Sequence, residues 1–272
     1  MNLSNIKLVA TDMDGTLLNS KGELSETFFP IFEKMKSQNI LFAAASGRQL
    51  FSLETVFKPI QKEMIFVAEN GSYVTYKGEE LLVQALDRNV VQAAIAQAKQ
   101  IPDTFIILCG KKMAYIDTYD PKFVVQLEKH YRKFEIIEDF TELPDDDFLK
   151  ITLCDLAGSE SNSFLFFKDF HESVAVKVSG PIWLDISHKL ANKGNALRLL
   201  QEKFGISIDE TMVFGDYLND TEMMQQAYYS YGMENGHPDI IAMARFTAKS
   251  NDKDGVLEVL ETLVERKAVP NS

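Results

Sequence analysis

The sequence of 272 residues predicts an α/β protein: a doubly wound, parallel-sheet core interrupted by an inserted α+β domain. Three observations predict it. Short apolar runs alternate with helical patterns through the first third of the chain, as right-handed crossovers between parallel strands require. The texture then changes to a mixed set of strands and helices, and the alternating pattern resumes near the C-terminus. Acidic residues, glycines and hydroxyl residues collect where the predicted core strands run out. In an open parallel sheet, that is where ligand sites lie.

The first strand is Ile6-Lys7-Leu8-Val9-Ala10-Thr11, which leads directly into Asp12-Met13-Asp14-Gly15-Thr16-Leu17-Leu18. Ser25 is placed to cap a helix running through Phe32 and Met35. Ile40 to Ala45 is a second buried strand, ending at Ser46-Gly47-Arg48, and a helix through Leu50, Leu53 and Val56 follows it. Met64 to Ala68 is the third strand, closed by the turn Glu69-Asn70-Gly71. Ser72–Tyr76 and Leu81–Ala85, joined around Lys77-Gly78, form a hairpin. Between Leu86 and Ile186 the pattern gives helices at Val90–Ala98, Pro121–His130 and Phe164–Phe170. The same stretch gives strands at Phe105–Leu108, Ala114–Ile116, Phe148–Cys154, Val174–Val178 and Trp183–Ile186. A helix over Lys193–Phe204, a strand Met212–Phe214 ending at Gly215-Asp216, and a closing helix from Gly255 to Val264 return to the first texture. Residues 1–81 and 188–272 are therefore expected to build the core, and 82–187 the insert. Phe28-Phe29, Phe164 to Phe167 and Met223-Met224 are read as core residues, and His188 as a hinge residue.

Composition bounds the function. The formal net charge of −12 argues against broad electrostatic binding to nucleic acid or to anionic membranes, while leaving room for a local basic pocket. The densest acidity, from Glu138-Asp139 to Asp145-Asp146-Asp147, reads as a solvated loop. Cys109 and Cys154 sit in apolar runs as buried free thiols, with no CxxC or Cys/His spacing for zinc. No apolar run reaches the ~18 residues of a membrane span, and the N-terminus lacks a signal-peptide layout. A reduced, cytoplasmic protein is the expectation, either a monomer or a small homo-oligomer.

Four sequence-distant pieces fall at or near predicted strand ends. They are Asp12 with Asp14, Ser46-Gly47-Arg48, Lys193 at a helix start, and Gly215-Asp216-Tyr217-Leu218-Asn219-Asp220. Two acids two residues apart are costly like charges unless a cation or a proton separates them. The four pieces supply a nucleophile candidate, a hydroxyl with backbone donors, a cation and oxygen ligands for a hard metal, which is the inventory of phosphoryl transfer. Each piece alone has a simpler use. Ser46 can cap the next helix, Asp216 and Asp220 can cap without metal, and Arg48 can clamp locally or face the insert. Lys193 can be a surface cation, although a cation at a helix start opposes the helix dipole.

Together, these runs resemble the haloacid dehalogenase superfamily of phosphatases, in the Cof-type subgroup that carries a large inserted α/β cap. Asn192-Lys193-Gly194, Glu69-Asn70-Gly71, Met233-Glu234-Asn235 and Asp254-Gly255-Val256 extend the resemblance over essentially the whole chain. The resemblance implies a Rossmann-like core with a substrate-selecting cap, and Mg²⁺ as cofactor. It implies Asp12 as nucleophile and metal ligand, and Asp14 as acid and base that also lends its backbone carbonyl to the metal. Asp216 would be a further ligand, with Asp220 assisting directly or from behind. Ser46, the Gly47 and Met13 amides and Asn219 would hold phosphate, with Arg48 on the substrate side. Lys193 would pair with Asp12 and the phosphate.

The expected reaction is Mg²⁺-dependent hydrolysis of a small phosphorylated metabolite, a sugar phosphate by resemblance, through an aspartyl-phosphate. Transfer to a sugar acceptor, as in phosphomutases, is the alternative within the superfamily. A non-hydrolytic phospho-acceptor signalling module is the alternative outside it, and the Asp-x-Asp spacing and the insert fit that poorly.

Overall fold

The computed structural model describes residues 3–131 and 133–267; the end of the expected core segment, 268–272, lies outside them. In chain order the elements are β1 (Leu8–Asp12), α1 (Phe28–Ser37), β2 (Leu41–Ala45), α2 (Leu50–Val56), β3 (Ile65–Ala68), β4 (Tyr73–Tyr76) and β5 (Glu79–Val83). There follow α3 (Arg88–Ala98), β6 (Thr104–Gly110), β7 (Ala114–Ile116), α4 (Pro121–His130), β8 (Phe134–Ile136), β9 (Phe148–Asp155), α5 (Ser163–Phe167), β10 (Val174–Gly180) and β11 (Trp183–His188). The last group is α6 (Lys193–Phe204), β12 (Thr211–Gly215), α7 (Thr221–Gln225), β13 (Tyr229–Met233), α8 (Pro238–Met243), β14 (Phe246–Ala248) and α9 (Gly255–Lys267). The chain divides into two compact units, one of residues up to Leu82 with those from Asn192 onward, the other Val83–Ala191.

The first unit holds an eight-stranded sheet in the order β14-β13-β12-β1-β2-β3-β4-β5. The six strands from β14 to β3 are parallel, and β4 turns back antiparallel on β3. From β1 the chain steps outward through β2 and β3, then returns on the other side through β12. That reversal opens a crevice at the carboxyl ends of β1 and β12.

Strand residues alternate between two apolar layers, as the period of two requires. Leu8, Ala10, Ala43, Ala45, Ile65, Val67 and Val213 pack with Leu197 and Leu200 of α6 and with Met223 and Met224 of α7. The alternate positions Phe42 and Phe66 meet an aromatic group from α1 and the end of α2. Phe28 lies 5.0 Å from Phe42, 5.6 Å from Phe57 and 6.0 Å from Phe32, centroid to centroid. Phe28 is fully buried, so Phe28→Ala is expected to cost ~3–5 kcal/mol of stability, transfer and cavity together. Urea denaturation checks this; a loss below ~1 kcal/mol would mean that the aromatic layer is loosely packed.

The second unit is built on a six-stranded sheet in the order β10-β11-β9-β6-β7-β8. It is antiparallel except for the β7–β8 pair. Val91 and Ile95 of α3 and Phe167 of α5 pack with Ile106, Leu108, Ile151, Leu153, Leu184 and Ile186. Phe123 and Leu127 of α4 pack with Ile107, Cys109 and Cys154. Both cysteines are buried and free, as the apolar context of each predicts. No helix among the described residues is long and apolar enough to cross a membrane.

The structure departs from the sequence reading at several places. Ser25 does not cap α1; its Oγ meets Thr27 Oγ1 at 2.9 Å and the helix begins at Phe28. The hairpin's second strand starts earlier, at Glu79, because Lys77-Gly78 alone forms the turn, both with positive φ. The segment Phe164 to Phe167 is not all core, since α5 is a short amphipathic turn that exposes Leu165 and Phe166 while burying Phe167. The acidic run is not wholly a solvated loop. Asp146 is buried and accepts the Lys112 amide (2.9 Å) and the Tyr115 hydroxyl (3.0 Å), tying the β6–β7 turn to the loop before β9.

Candidate active site

Asp12 is the last residue of β1, opposite Ala45 of β2, and is 6% exposed. The chain turns sharply after it: the carbonyl of the buried Met13 accepts the Leu18 amide at 2.8 Å and the Thr16 amide at 3.4 Å. Gly15 makes that turn possible. Its φ is +81°, and a Cβ there would stand 2.4 Å from Asp216 Oδ2, so both backbone conformation and close approach require glycine.

Asp216 follows β12, the strand beside β1, and its Oδ1 accepts the Thr16 hydroxyl at 3.0 Å. One turn on, Asp220 is completely buried and folds back, its Oδ2 accepting the amides of Asp216 (3.0 Å) and Tyr217 (3.2 Å). Lys193 opens α6, where the Asn192 side chain caps the helix by accepting the Asn195 amide at 2.8 Å. Gly71, with φ +97°, passes so close beneath Asn192 that a Cβ would meet its carbonyl oxygen at 2.4 Å. The Lys193 side chain is fully enclosed, and Nζ donates to Asp12 Oδ1 and, at 2.7 Å, to Asp220 Oδ1. Two carboxylates thus offset the unfavourable position of a cation at a helix N-terminus.

Asp12, Asp216 and Asp220 each present a carboxylate oxygen within 4.8 Å of the others. Among the described residues, Lys193 is the cation in contact with Asp12 and Asp220, so three carboxyl groups share one positive charge. Burial pushes the Asp12 carboxyl up to about 8; the attraction of Lys193 offsets part of this, and Asp220 and Asp216 add repulsion. Asp216 is raised in the same way, by burial and then by Asp220. Burial works to lower Lys193, but its attraction to Asp12 and Asp220 outweighs that and holds the ammonium form.

Ser46 stands beside this group at the end of β2, buried, with its amide on the Val67 carbonyl at 2.9 Å. It does not cap α2. Its Oγ accepts the Arg48 amide at 3.1 Å and keeps its own proton for another acceptor. Gly47 lies against Asn70, whose amide nitrogen would be 3.1 Å from a Cβ at position 47. Asn219 donates to Asn70 Oδ1 at 3.1 Å, so these two amides meet across 149 residues. Arg48 forks onto Asp14, Nε to Oδ2 at 2.8 Å and Nη2 to Oδ1 at 2.5 Å. His188 lies in the second unit, where its Nδ1 accepts the Leu190 amide at 3.2 Å.

Three supporting residues had no role in the sequence reading. Thr16 and Asn70 lie inside the runs Asp12–Leu18 and Glu69-Asn70-Gly71, but their partners are distant in sequence. Asn235 donates to the Gly15 carbonyl at 2.8 Å, while the His237 amide donates to the Asp216 carbonyl at 2.7 Å. The loop after β13 therefore holds both carboxylate-bearing turns. The signal was Met233-Glu234-Asn235, an amide residue just beyond a buried strand.

Residues 9–260 match the family described as haloacid dehalogenase-like hydrolases. The chain is 35% identical over 271 residues to the 5-amino-6-(5-phospho-D-ribitylamino)uracil phosphatase YbjI of Escherichia coli, covering 97% of this chain and 98% of that protein. Among solved structures, a Streptococcus mutans protein superposes with a TM-score of 0.86 at 32% identity, over 96% of this chain and 99% of the other. A Eubacterium rectale protein superposes with a TM-score of 0.88 at 26% identity, over 95% and 99%.

Proposed function

This chain belongs to the haloacid dehalogenase-like hydrolase family as a Cof-type phosphatase, and from that premise we propose that it hydrolyses a small phosphate monoester, with Mg²⁺, through phosphorylation of Asp12. The observation that carries the reading is the group of buried Asp12, Lys193 and Asp220 with half-buried Asp216 at the carboxyl ends of β1 and β12. We place the phosphate on a sugar or a related polyhydroxylated chain. The Escherichia coli relative, named for a phosphoribityl compound, supports that class.

In the first step an Asp12 carboxylate oxygen bonds to phosphorus while the phosphorus–oxygen bond to the leaving group breaks. Asp14 gives its proton to the departing alkoxide. In the second step water attacks the same phosphorus, Asp14 takes a proton from it, and the Asp12–phosphorus bond breaks to release inorganic phosphate. One difficult displacement becomes two easier ones, and Asp14 acts as acid and then as base. Lys193 neutralises charge on Asp12 and on the phosphoryl oxygens, while the Ser46 hydroxyl and the Gly47 and Met13 amides donate to those oxygens. The Asn70–Asn219 pair holds the wall beside them.

The donor set fits Mg²⁺. It is all oxygen, it has few protein ligands, and it crowds three carboxyl groups together, with Asp12 raised first by burial and then by its acidic neighbours. Asp12, Asp216 and the Asp14 backbone carbonyl would hold the ion, with Asp220 assisting while bound to Lys193. When bound, it supplies positive charge that neutralises the phosphoryl oxygens and keeps Asp12 ionised.

The sign of the pH dependence follows. Without the ion, the Asp12 carboxyl titrates near 8 and is protonated at pH 7. Loading Mg²⁺ at pH 7 is therefore expected to release about one proton per site. Apparent affinity should rise with pH and level off above about 8. Calorimetry in buffers of different ionisation enthalpy measures this directly, and loading without proton release would contradict it.

The function itself is tested by phosphate release from a panel of phosphorylated metabolites. Sugar and polyol phosphates are expected to turn over only with Mg²⁺ present. Undiminished release after thorough chelation, or no release from any member, would overturn the reading.

A further inference from the structure

The two cations near the acids are divided between them. Lys193 is enclosed and serves Asp12 and Asp220, whereas Arg48 serves Asp14. Among the described residues, the Arg48 guanidinium is the group recorded on the Asp14 carboxylate, with one nitrogen on each oxygen. We propose that Arg48 is a positioning residue that fixes the orientation of the Asp14 carboxylate for proton transfer, rather than a group that binds the phosphate. The proposal rests on the phosphatase reading above and assigns a new role within that same site.

The geometry supports it from the backbone outward. The Arg48 amide donates to Ser46 Oγ at 3.1 Å, and its carbonyl accepts the Glu69 amide at 3.0 Å. The arginine is thus anchored to the loops after both β2 and β3. On the other side, Asp14 sits in the tight turn closed by the Met13 carbonyl and bridges to Leu18. Both backbones are fixed, so the fork sets the plane of a carboxylate that would otherwise rotate freely. Asp14 needs that help, because its side chain is 55% exposed and packing alone does not choose its rotamer.

The fork occupies one acceptor site on each oxygen and leaves the outer lone pair of one of them to carry the proton that Asp14 gives to the leaving group and then takes from water. An acid or base works only with its oxygen within hydrogen-bond reach of the proton's partner, and small misplacements are costly. A planar guanidinium can impose that orientation, whereas an ammonium is a point charge and cannot. The plain alternative is a surface ion pair that adds a little stability. It predicts no selective kinetic effect, so the two readings separate in one experiment.

The experiment is a double-mutant cycle of Arg48 and Asp14, read as kcat/KM with an alkyl phosphate and with an aryl phosphate. The parameter kcat/KM reports the step in which the leaving group departs, and an aryl leaving group needs no proton. Arg48→Gln and Arg48→Lys are each expected to lose at least ~10-fold on the alkyl ester and far less on the aryl ester. In the Asp14→Asn background, adding Arg48→Gln should change the alkyl rate less than ~2-fold, because its target is already gone. Thermal unfolding of each variant checks that the fold is intact. Equal losses on both esters, a full loss in the Asp14→Asn background, or wild-type rates for Arg48→Lys would each overturn the proposal. Failure of the phosphatase reading is distinct, since the unsubstituted protein would then release no phosphate from either ester.

Discussion

Asp12→Asn is expected to abolish turnover of every phosphate monoester, by at least ~10⁴-fold, as loss of a nucleophile does. The amide matches the carboxylate in shape, so the end of β1 and its register with β2 should be retained. A neutral amide cannot displace an alkoxide from phosphorus. Nor does the substitution strand Lys193, whose ammonium still meets Asp220 at 2.7 Å. It also removes a buried carboxyl that desolvation and two neighbouring acids disfavour. The thermal midpoint of the metal-free variant should therefore stay level or rise while activity vanishes. Phosphate release and thermal unfolding measured together check this, and near-normal activity in clean protein would contradict the covalent mechanism.

Lys193→Met carries the second large effect, and it touches stability as well as rate. Methionine fills a similar length of enclosed space but leaves Asp12 and Asp220 without their cation. Removing one partner of a buried pair costs ~3–5 kcal/mol. Protonation of the remaining acids offsets part of that cost. The variant's folded state then binds more protons than its unfolded chain, so its stability must fall as pH rises. The fall begins near 4, where Asp titrates in the unfolded chain, and continues past the Asp12 value of about 8. Activity is expected to drop ~10²–10³-fold, the range seen when one preorganised electrostatic partner of a transition state is removed. Urea denaturation at several pH values and kcat for one good substrate measure the two effects. Stability independent of pH would show that Lys193 does not control the buried acids.

The parts of the site that could be read from the sequence are those whose chemistry is local. Asp12, Ser46 and Asp216 each stand where an apolar run breaks, so strand periodicity places them at strand ends without further help. Lys193 stands out because a cation at a helix start needs a reason, and the structure gives it two carboxylates. The contacts that could not be read join distant segments: Thr16 to Asp216, Asn70 to Asn219, Asn235 to Gly15. Nothing in periodicity or spacing encodes a hydrogen bond across 149 residues. Arg48 shows the same limit. Its position in the Ser46-Gly47-Arg48 run leaves a local clamp and a contact with the insert equally open, and the fold supplies Asp14 as its partner. Asp146 misled for the opposite reason, since its acidic neighbours hid one buried carboxylate among exposed ones. The short α5 failed because one turn of helix carries too little periodicity to say which of its four apolar residues face inward.

The central claim, that phosphorus passes through Asp12, is tested most directly by trapping the acyl phosphate. The Asp14→Asn variant, turning over an aryl phosphate with Mg²⁺, should form phospho-Asp12 without needing an acid and break it down slowly for want of a base. Borohydride reduction of the quenched mixture converts a phosphorylated aspartate to homoserine, and mass spectrometry of the peptide locates it. The expected result is homoserine at position 12 and nowhere else, appearing only when both substrate and Mg²⁺ are present. Continued phosphate release with unmodified Asp12, or homoserine at any other aspartate, would contradict the account.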